Sequence, residues 1–61
     1  MNRAYQLLKL AGSALNREAY GLARKLFLES RELDTLGVSR LATTQGLEWV
    51  ENELKQRSST A

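Results

Sequence analysis

The chain contains no cysteine and no histidine among its 61 residues. Disulfide bonds are therefore excluded, and so are the usual zinc sites built from these two residue types. The absence of cysteine is compatible with a reducing cytoplasm, which is the location we expect. No stretch approaches ~18 continuous apolar residues, so the sequence predicts no membrane span.

The sequence also lacks the common signatures of enzymes. It has no glycine-rich phosphate-binding loop and no pair of carboxylates beside a nucleophile. Glu48 and Glu51 are three residues apart, but without a histidine or further inward carboxylates we interpret them as solubilising charges. We therefore predict a non-enzymatic protein with no catalytic residues, no metal, no cofactor and no small-molecule substrate.

The length predicts one small domain, with residues 1–57 forming a helical unit and residues 58–61 a frayed tail. A chain this short buries only ~60% of its unfolded surface, and it has no disulfide or metal to add stability. We therefore expect a protein partner, either a second copy in a homo-dimer or the other subunits of a complex. The net charge of +2 is too small to imply a nucleic-acid partner by itself.

The longest segment with helical periodicity spans residues 16–34, and we expect the rest of the chain to pack against it. Asn16 is a suitable cap at its start, and Gly37 follows its end. Tyr20 and Phe27 lie at the edge of the apolar arc that such a helix buries. That arc consists of Ala19, Leu22, Ala23, Leu26, Ser30 and Leu33.

A second amphipathic helix is predicted over residues 2–15, with Asn2 as a possible cap. Leu10 and Ala14 fall away from its stripe, which consists of Met1, Ala4, Leu8, Ala11 and Leu15. Gly12 and Ser13 indicate a break, yet the apolar spacing continues through them without a change of phase. Residues 2–34 therefore form either a hairpin or one long helix. We favour the hairpin, because the chain has no other core on which to fold.

The pattern breaks after Asp34, where residues 35–38 form a turn with apolar anchors and Ser39 can cap the next helix. A kink or restart is expected at Thr43 and Thr44. Beyond it, apolar residues share one face at Leu47, Val50 and Leu54. The fold class we predict is all-α: a helical hairpin plus a kinked C-terminal helix in a small three-helix domain that is oligomeric.

Residues 7–35 resemble one tetratricopeptide (TPR) unit, the helix-turn-helix repeat that stacks into peptide-binding arrays. The resemblance is carried by Leu7, Leu10, Ala11, Tyr20, Ala23, Phe27, Ser30 and Asp34. The chain departs from the pattern at Ala14, where an aromatic residue is usual, at Glu18-Ala19 in the turn, and at Thr35 in place of the closing proline. Only one copy is present. The resemblance implies a role in protein–protein interaction.

A shorter segment, residues 36–40 (LGVSR), is similar to the turn of DNA-binding helix-turn-helix motifs. The resemblance implies groove contacts by Arg40, Thr43 and Thr44. A helix C-cap followed by a serine N-cap explains the same residues without DNA.

The arginines of the central segment recur every seven residues beside its aromatic edge, at Arg17, Arg24 and Arg31. Arginine beside exposed aromatic faces is typical of phosphate and single-strand binding. A solvated face whose charges pair locally explains the same spacing, and we favour that interpretation.

The function we predict is a small protein–protein interaction module, such as an adaptor, inhibitor or assembly factor, that acts through helical apolar surfaces. The candidate partner-binding residues are Leu10, Tyr20, Phe27, Leu28 and Trp49. The alternative is a small DNA-binding regulator that uses a helix-turn-helix-like segment around residues 32–50. Its candidate contacts are Arg17, Arg24, Arg31, Arg40, Thr43 and Thr44.

Overall fold

The computed structural model describes the backbone of residues 3–59 and the side chains as far as Arg57. These residues form three helices, α1 (Arg3–Asn16), α2 (Tyr20–Leu33) and α3 (Arg40–Ser59), and residues 3–59 contain no strand. The predicted all-α, three-helix fold is confirmed. The possible cap at Asn2, and residues 60–61 of the predicted tail, lie outside the described part of the chain, whereas Ser58 and Ser59 continue α3.

The central helix, α2, lies between the other two. It packs against both α1 and α3, whereas α1 and α3 touch each other at few points. The Cα atoms span 40 × 18 × 13 Å, which fits a single layer of helices. The hairpin is therefore confirmed, the single long helix is excluded, and the central segment is the element on which the others pack.

The turn between α1 and α2 is a Schellman motif in which glutamate occupies the position that usually holds glycine. The Ala19 amide donates to the Ala14 carbonyl at 2.8 Å, and the Glu18 amide donates to the Leu15 carbonyl at 3.0 Å. Glu18 has a φ of 60°, in the left-handed region. Asn16, predicted to cap α2, is instead the last residue of α1, because the chain reverses three residues later than the capping pattern indicates.

The interface between α1 and α2 is formed mainly by small residues facing two aromatic rings. The buried residues are Ala4, Leu7, Ala11 and Ala14 on α1, and Tyr20, Ala23, Phe27 and Ser30 on α2. The predicted arcs are wrong at Leu22 and Leu33, which are 47% and 51% exposed, and at Ala14, which is fully buried. The rings of Tyr20 and Phe27 fill the space beside the alanines, so α2 is rotated toward its aromatic edge.

A buried hydrogen bond fixes the far end of this interface. The Ser30 hydroxyl donates to the backbone carbonyl of Ala4 at 2.7 Å, and both residues are inaccessible to solvent. Small side chains at both positions allow the two backbones to approach closely. This bond sets how the start of α1 is aligned with the end of α2.

The third helix packs on α2 through one continuous stripe. Leu47 and Val50 are buried, and Leu54 packs against the same cluster, as the spacing predicts. The restart expected at Thr43 and Thr44 is absent, because Thr43 is fully buried and extends the stripe by one turn. Gly46 lies in the same stripe, and a Cβ atom added there would overlap the Phe27 ring. The Phe27 ring therefore packs directly against the backbone of α3 at a glycine.

Candidate interaction surface

Eight large apolar side chains are exposed in the described part of the chain, and four of them follow one another at one corner of the molecule. Leu33 ends α2, Leu36 and Val38 lie in the loop, and Leu41 is in the first turn of α3. Their exposed fractions are 51%, 88%, 77% and 72% respectively. We call these four residues the corner patch. Burying such a patch on a partner is favourable, because it removes apolar surface from water.

The backbone of the corner is held by the carboxylate of Asp34, a residue that is only 7% exposed. One carboxylate oxygen accepts a hydrogen bond from the Val38 amide at 3.1 Å, and the other accepts one from the Ser39 amide at 2.8 Å. Hydrogen bonds to a carboxylate are stronger than those between neutral groups. The loop is therefore fixed by a buried anchor while its apolar side chains point into solvent.

Gly37, at the tip of the corner, takes a left-handed conformation with a φ of 74°. Its amide donates to the Asp34 carbonyl at 3.1 Å, and its carbonyl accepts from the Arg40 amide at 3.3 Å. The Arg40 guanidinium lies over Gly37, 3.4 Å from where a Cβ atom would stand. These contacts turn the chain from α2 into α3 and leave Leu36 and Val38 on the outside.

The structure divides the predicted partner-binding residues between core and surface. Leu10 and Trp49 are 51% and 48% exposed, and Leu28 is partly buried against the core. Tyr20 and Phe27 are 8% and 3% exposed, so in this conformation their side chains belong to the core and not to the exposed surface. Both rings are needed to fill the space beside the small residues of α1.

Trp49 is tied to the core through Tyr20. The two ring centroids are 5.7 Å apart with the planes tilted by 54°, and the Arg57 guanidinium carbon lies 4.7 Å from the Tyr20 centroid. Arg57 also lies 3.7 Å from the Glu18 carboxylate, across the turn between α1 and α2. Trp49 therefore helps to close the end of the molecule opposite the corner patch.

The residues proposed for nucleic-acid contact are distributed over α2, α3 and the turn after α1, and one of them, Thr43, is buried. Arg17 lies in the turn after α1, at the end of α2 opposite to Arg31, so the expected line of three arginines on one helix is wrong. Arg24 pairs with Glu51 of α3 at 3.4 Å, between side chains that are about half exposed. Arg40 and Thr44 are exposed near the start of α3.

Thr43 cannot serve as a groove contact in this conformation, because its side chain is fully buried. Its hydroxyl oxygen has no hydrogen-bond partner among the described residues. The helical stripe of α3, rather than a DNA surface, accounts for its position.

The described residues provide neither a metal-binding cluster nor a membrane-spanning helix. Within residues 3–59, no group of three His, Cys, Asp or Glu side chains is arranged to hold a metal ion. No described helix is long and apolar enough to cross a membrane. No protein-family model, curated protein or solved structure matches the chain.

Sequence reasoning did not identify the corner patch, because it interpreted Leu36 and Val38 only as apolar anchors of a turn. The available signal was the density of large apolar residues around Gly37, with four in nine positions. Such a density of apolar residues indicates either a loop that is anchored to the core by these side chains or a loop that exposes them to a partner. The position of Asp34, buried beneath the loop, distinguishes the two. Its carboxylate holds the loop in place, and the apolar side chains are exposed to solvent.

Proposed function

We propose that this protein is a small, non-enzymatic protein–protein interaction module that acts as an adaptor, inhibitor or assembly factor. The observation that carries the proposal is the corner patch, in which four large apolar side chains are between half and nine-tenths exposed. Large exposed apolar side chains grouped at one end of a small domain typically mark a site of association. We place this activity in the cytoplasm, on the basis of the cysteine-free sequence.

The construction of the corner supports binding. Association loses affinity when it must order flexible side chains and loops. Here the loop is already held by two hydrogen bonds to the Asp34 carboxylate, so a partner meets a formed surface. The branched side chains of Leu36 and Val38 also lose comparatively little rotamer freedom on burial.

The proposed module is a single TPR-like helical hairpin followed by one further helix. In support, seven of the eight residues that carry the resemblance are buried between helices or beneath the corner: Leu7, Ala11, Tyr20, Ala23, Phe27, Ser30 and Asp34. The eighth, Leu10, is exposed. In repeat proteins the terminal helix has a polar outer face. The outward residues Thr44, Gln45, Glu48 and Asn52 of α3 match that role.

The alternative proposal, a small DNA-binding regulator using residues 32–50, now relies on Arg40, Thr44 and Arg31, which are exposed at or near the corner. Arg31 and Arg40 are the cations nearest the corner in sequence, and Glu32 lies between them. The corner patch itself is apolar, whereas duplex DNA is bound mainly through phosphate contacts. We therefore favour a protein partner.

Affinity capture from native lysate tests both proposals with three baits and two treatments. The baits are the wild type, a Leu36→Asp/Val38→Asp variant and, as a control at an exposed leucine outside the patch, a Leu22→Asp variant, each captured with and without nuclease. We expect the wild type and the Leu22 variant to retain the same proteins, and the corner variant to lose them. Circular dichroism of each bait confirms that the helices are intact.

Two results would contradict this proposal. Partners that disappear with nuclease would favour the DNA-binding alternative. Partners that remain on the corner variant would show that the patch is not the binding surface.

A further inference from the structure

We propose that the occupant of the corner patch is the same patch of a second copy of this chain, related to it by a twofold axis. The inference rests on the proposed function and specifies its partner. In such an interface each residue of one copy meets the corresponding surface of the other, so a single patch is sufficient.

The size of the patch fits an interface of this type. A standard interface buries roughly 800 Å² on each partner, and roughly 65% of a homodimer interface is apolar. The apolar share is therefore on the order of 500 Å² per copy. Four large apolar side chains with exposed fractions of 51% to 88% supply an area of this order.

The charges next to the patch are compatible with self-association. Glu32 precedes Leu33 in the chain, and the Arg40 guanidinium lies over Gly37 at the tip of the loop, so both signs are present beside the apolar residues. In a twofold dimer, a contact between Glu32 of one copy and Arg40 of the other would occur twice. The net charge of +2 per chain opposes dimerisation only weakly.

The core of the single chain gives a reason for association. The buried core is small: among the described residues its large apolar side chains are Leu7, Tyr20, Phe27, Leu47 and Val50, and the rest are alanines with Ser30, Asp34 and Thr43. Small domains without disulfides or metals commonly gain stability by forming oligomers. Covering the corner patch adds apolar burial that the three helices alone do not provide.

The position of the patch permits close approach of two copies. Leu36 and Val38 lie in the loop at one end of a layer of antiparallel helices, and their high exposure shows that they project from the surface. Two such ends can meet while the helices of each copy extend away from the contact. The fixed loop conformation also limits the ordering that dimerisation requires.

Sedimentation equilibrium over a series of concentrations tests the proposal directly. We expect the wild type to dimerise in the micromolar range, and the Leu36→Asp/Val38→Asp variant to dimerise at least about 100-fold more weakly, because each central apolar contact contributes roughly 30-fold. A Leu36→Ser/Leu41→Ser variant, which adds no charge, should weaken the dimer in the same direction. Leu22→Asp is the control: it changes a leucine on α2 that is 47% exposed and lies outside the patch, and it should leave the dimer intact.

Disulfide trapping provides a second, geometric test, because the natural chain has no cysteine. Thr35→Cys places one thiol on the exposed loop between Leu33 and Leu36, and Ser13→Cys places one on the exposed surface of α1. Oxidation should convert the Thr35→Cys protein into a covalent dimer much faster than the Ser13→Cys protein. Equal rates would show that the contact is not specific to the corner.

The remaining outcomes separate this inference from the proposed function. A wild type that stays monomeric throughout the series overturns the dimer, as does a dimer lost in Leu22→Asp and kept in the corner variants. A monomer that binds anionic phospholipid vesicles through the patch also overturns it and assigns the patch to a membrane surface. A monomer that captures another protein, and loses it when the corner patch is changed, supports the proposed function. That result overturns only the inference that the partner is a second copy of this chain.

Discussion

Replacing Gly46 by alanine should destabilise the protein, although alanine is the better helix former. A Cβ atom at this position would stand 3.0 Å from Cε2 of Phe27 and closer still to two other carbons of the ring. The ring is 3% exposed and packs in a cluster with Leu47 and Val50, so it has little space into which to move. Either the ring or the whole of α3 must shift.

The magnitude follows from two opposing effects. Overpacking a core costs up to about 3 kcal/mol, and replacing a helical glycine by alanine returns about 1 kcal/mol. The net loss is therefore about 2 kcal/mol. A chain of this length has a total stability of only ~3–9 kcal/mol. The loss corresponds to a fall of roughly 10 °C in melting temperature.

Gly12→Ala is the matched control, because it makes the same chemical change inside α1, where a Cβ atom meets nothing within 4 Å. This variant should gain up to about 1 kcal/mol. Thermal and urea denaturation followed by far-UV circular dichroism measure both variants, at one protein concentration because association shifts the apparent stability. In a Phe27→Leu background the cost of Gly46→Ala should fall below about 1 kcal/mol. A Gly46→Ala protein as stable as the wild type would refute the close contact.

The same denaturation measurements check three further variants. Asp34→Ala should lose about 2–3 kcal/mol, because the amides of Val38 and Ser39 lose a charged acceptor; no loss would show that the carboxylate does not hold the corner. Glu18→Gly should gain about 0.5–1 kcal/mol by relieving a left-handed backbone, and a loss would argue against that conformation. Thr43→Val should gain about 1 kcal/mol by removing a buried hydroxyl without a described partner, whereas a loss would reveal a partner, such as a buried water.

The sequence predicted the elements that depend on repeated spacing. Leu47, Val50 and Leu54 recur at helical intervals and form the buried stripe of α3. The hairpin followed from the need for a short chain to fold on itself. These features depend on many residues acting together, so a single unexpected side chain does not change them.

The features that the sequence did not predict depend on single residues in an unusual environment. Glu18 takes a left-handed conformation that normally indicates glycine, so the turn was not located there. Thr43 is polar yet fully buried, which made the α3 stripe look interrupted. Residue type alone does not identify such positions, because the surrounding packing overrides the local preference.

The corner patch shows the same limitation for the candidate site. Leu36 and Val38 have the composition of buried anchors, and their exposure follows from the two amide hydrogen bonds that Asp34 accepts four and five residues along the chain. Leu10 and Trp49 could be selected from the sequence as exposed, because they lie away from the main stripes. Tyr20 and Phe27 could not be placed correctly, since an aromatic residue at the edge of an arc is buried when its neighbours are small.

The single-layer arrangement has a consequence for how the molecule opens. Because α1 and α3 share few contacts, either one can detach while the other stays packed on α2. Backbone amides of α2 can lose protection only when both outer helices have left, so they should exchange with solvent deuterium most slowly. Those of α1 and α3 should exchange through separate partial openings. The Gly46→Ala change should therefore speed amide exchange throughout α3 more than in α1. The stability of α1 on α2 and that of α3 on α2 can then be changed independently of each other.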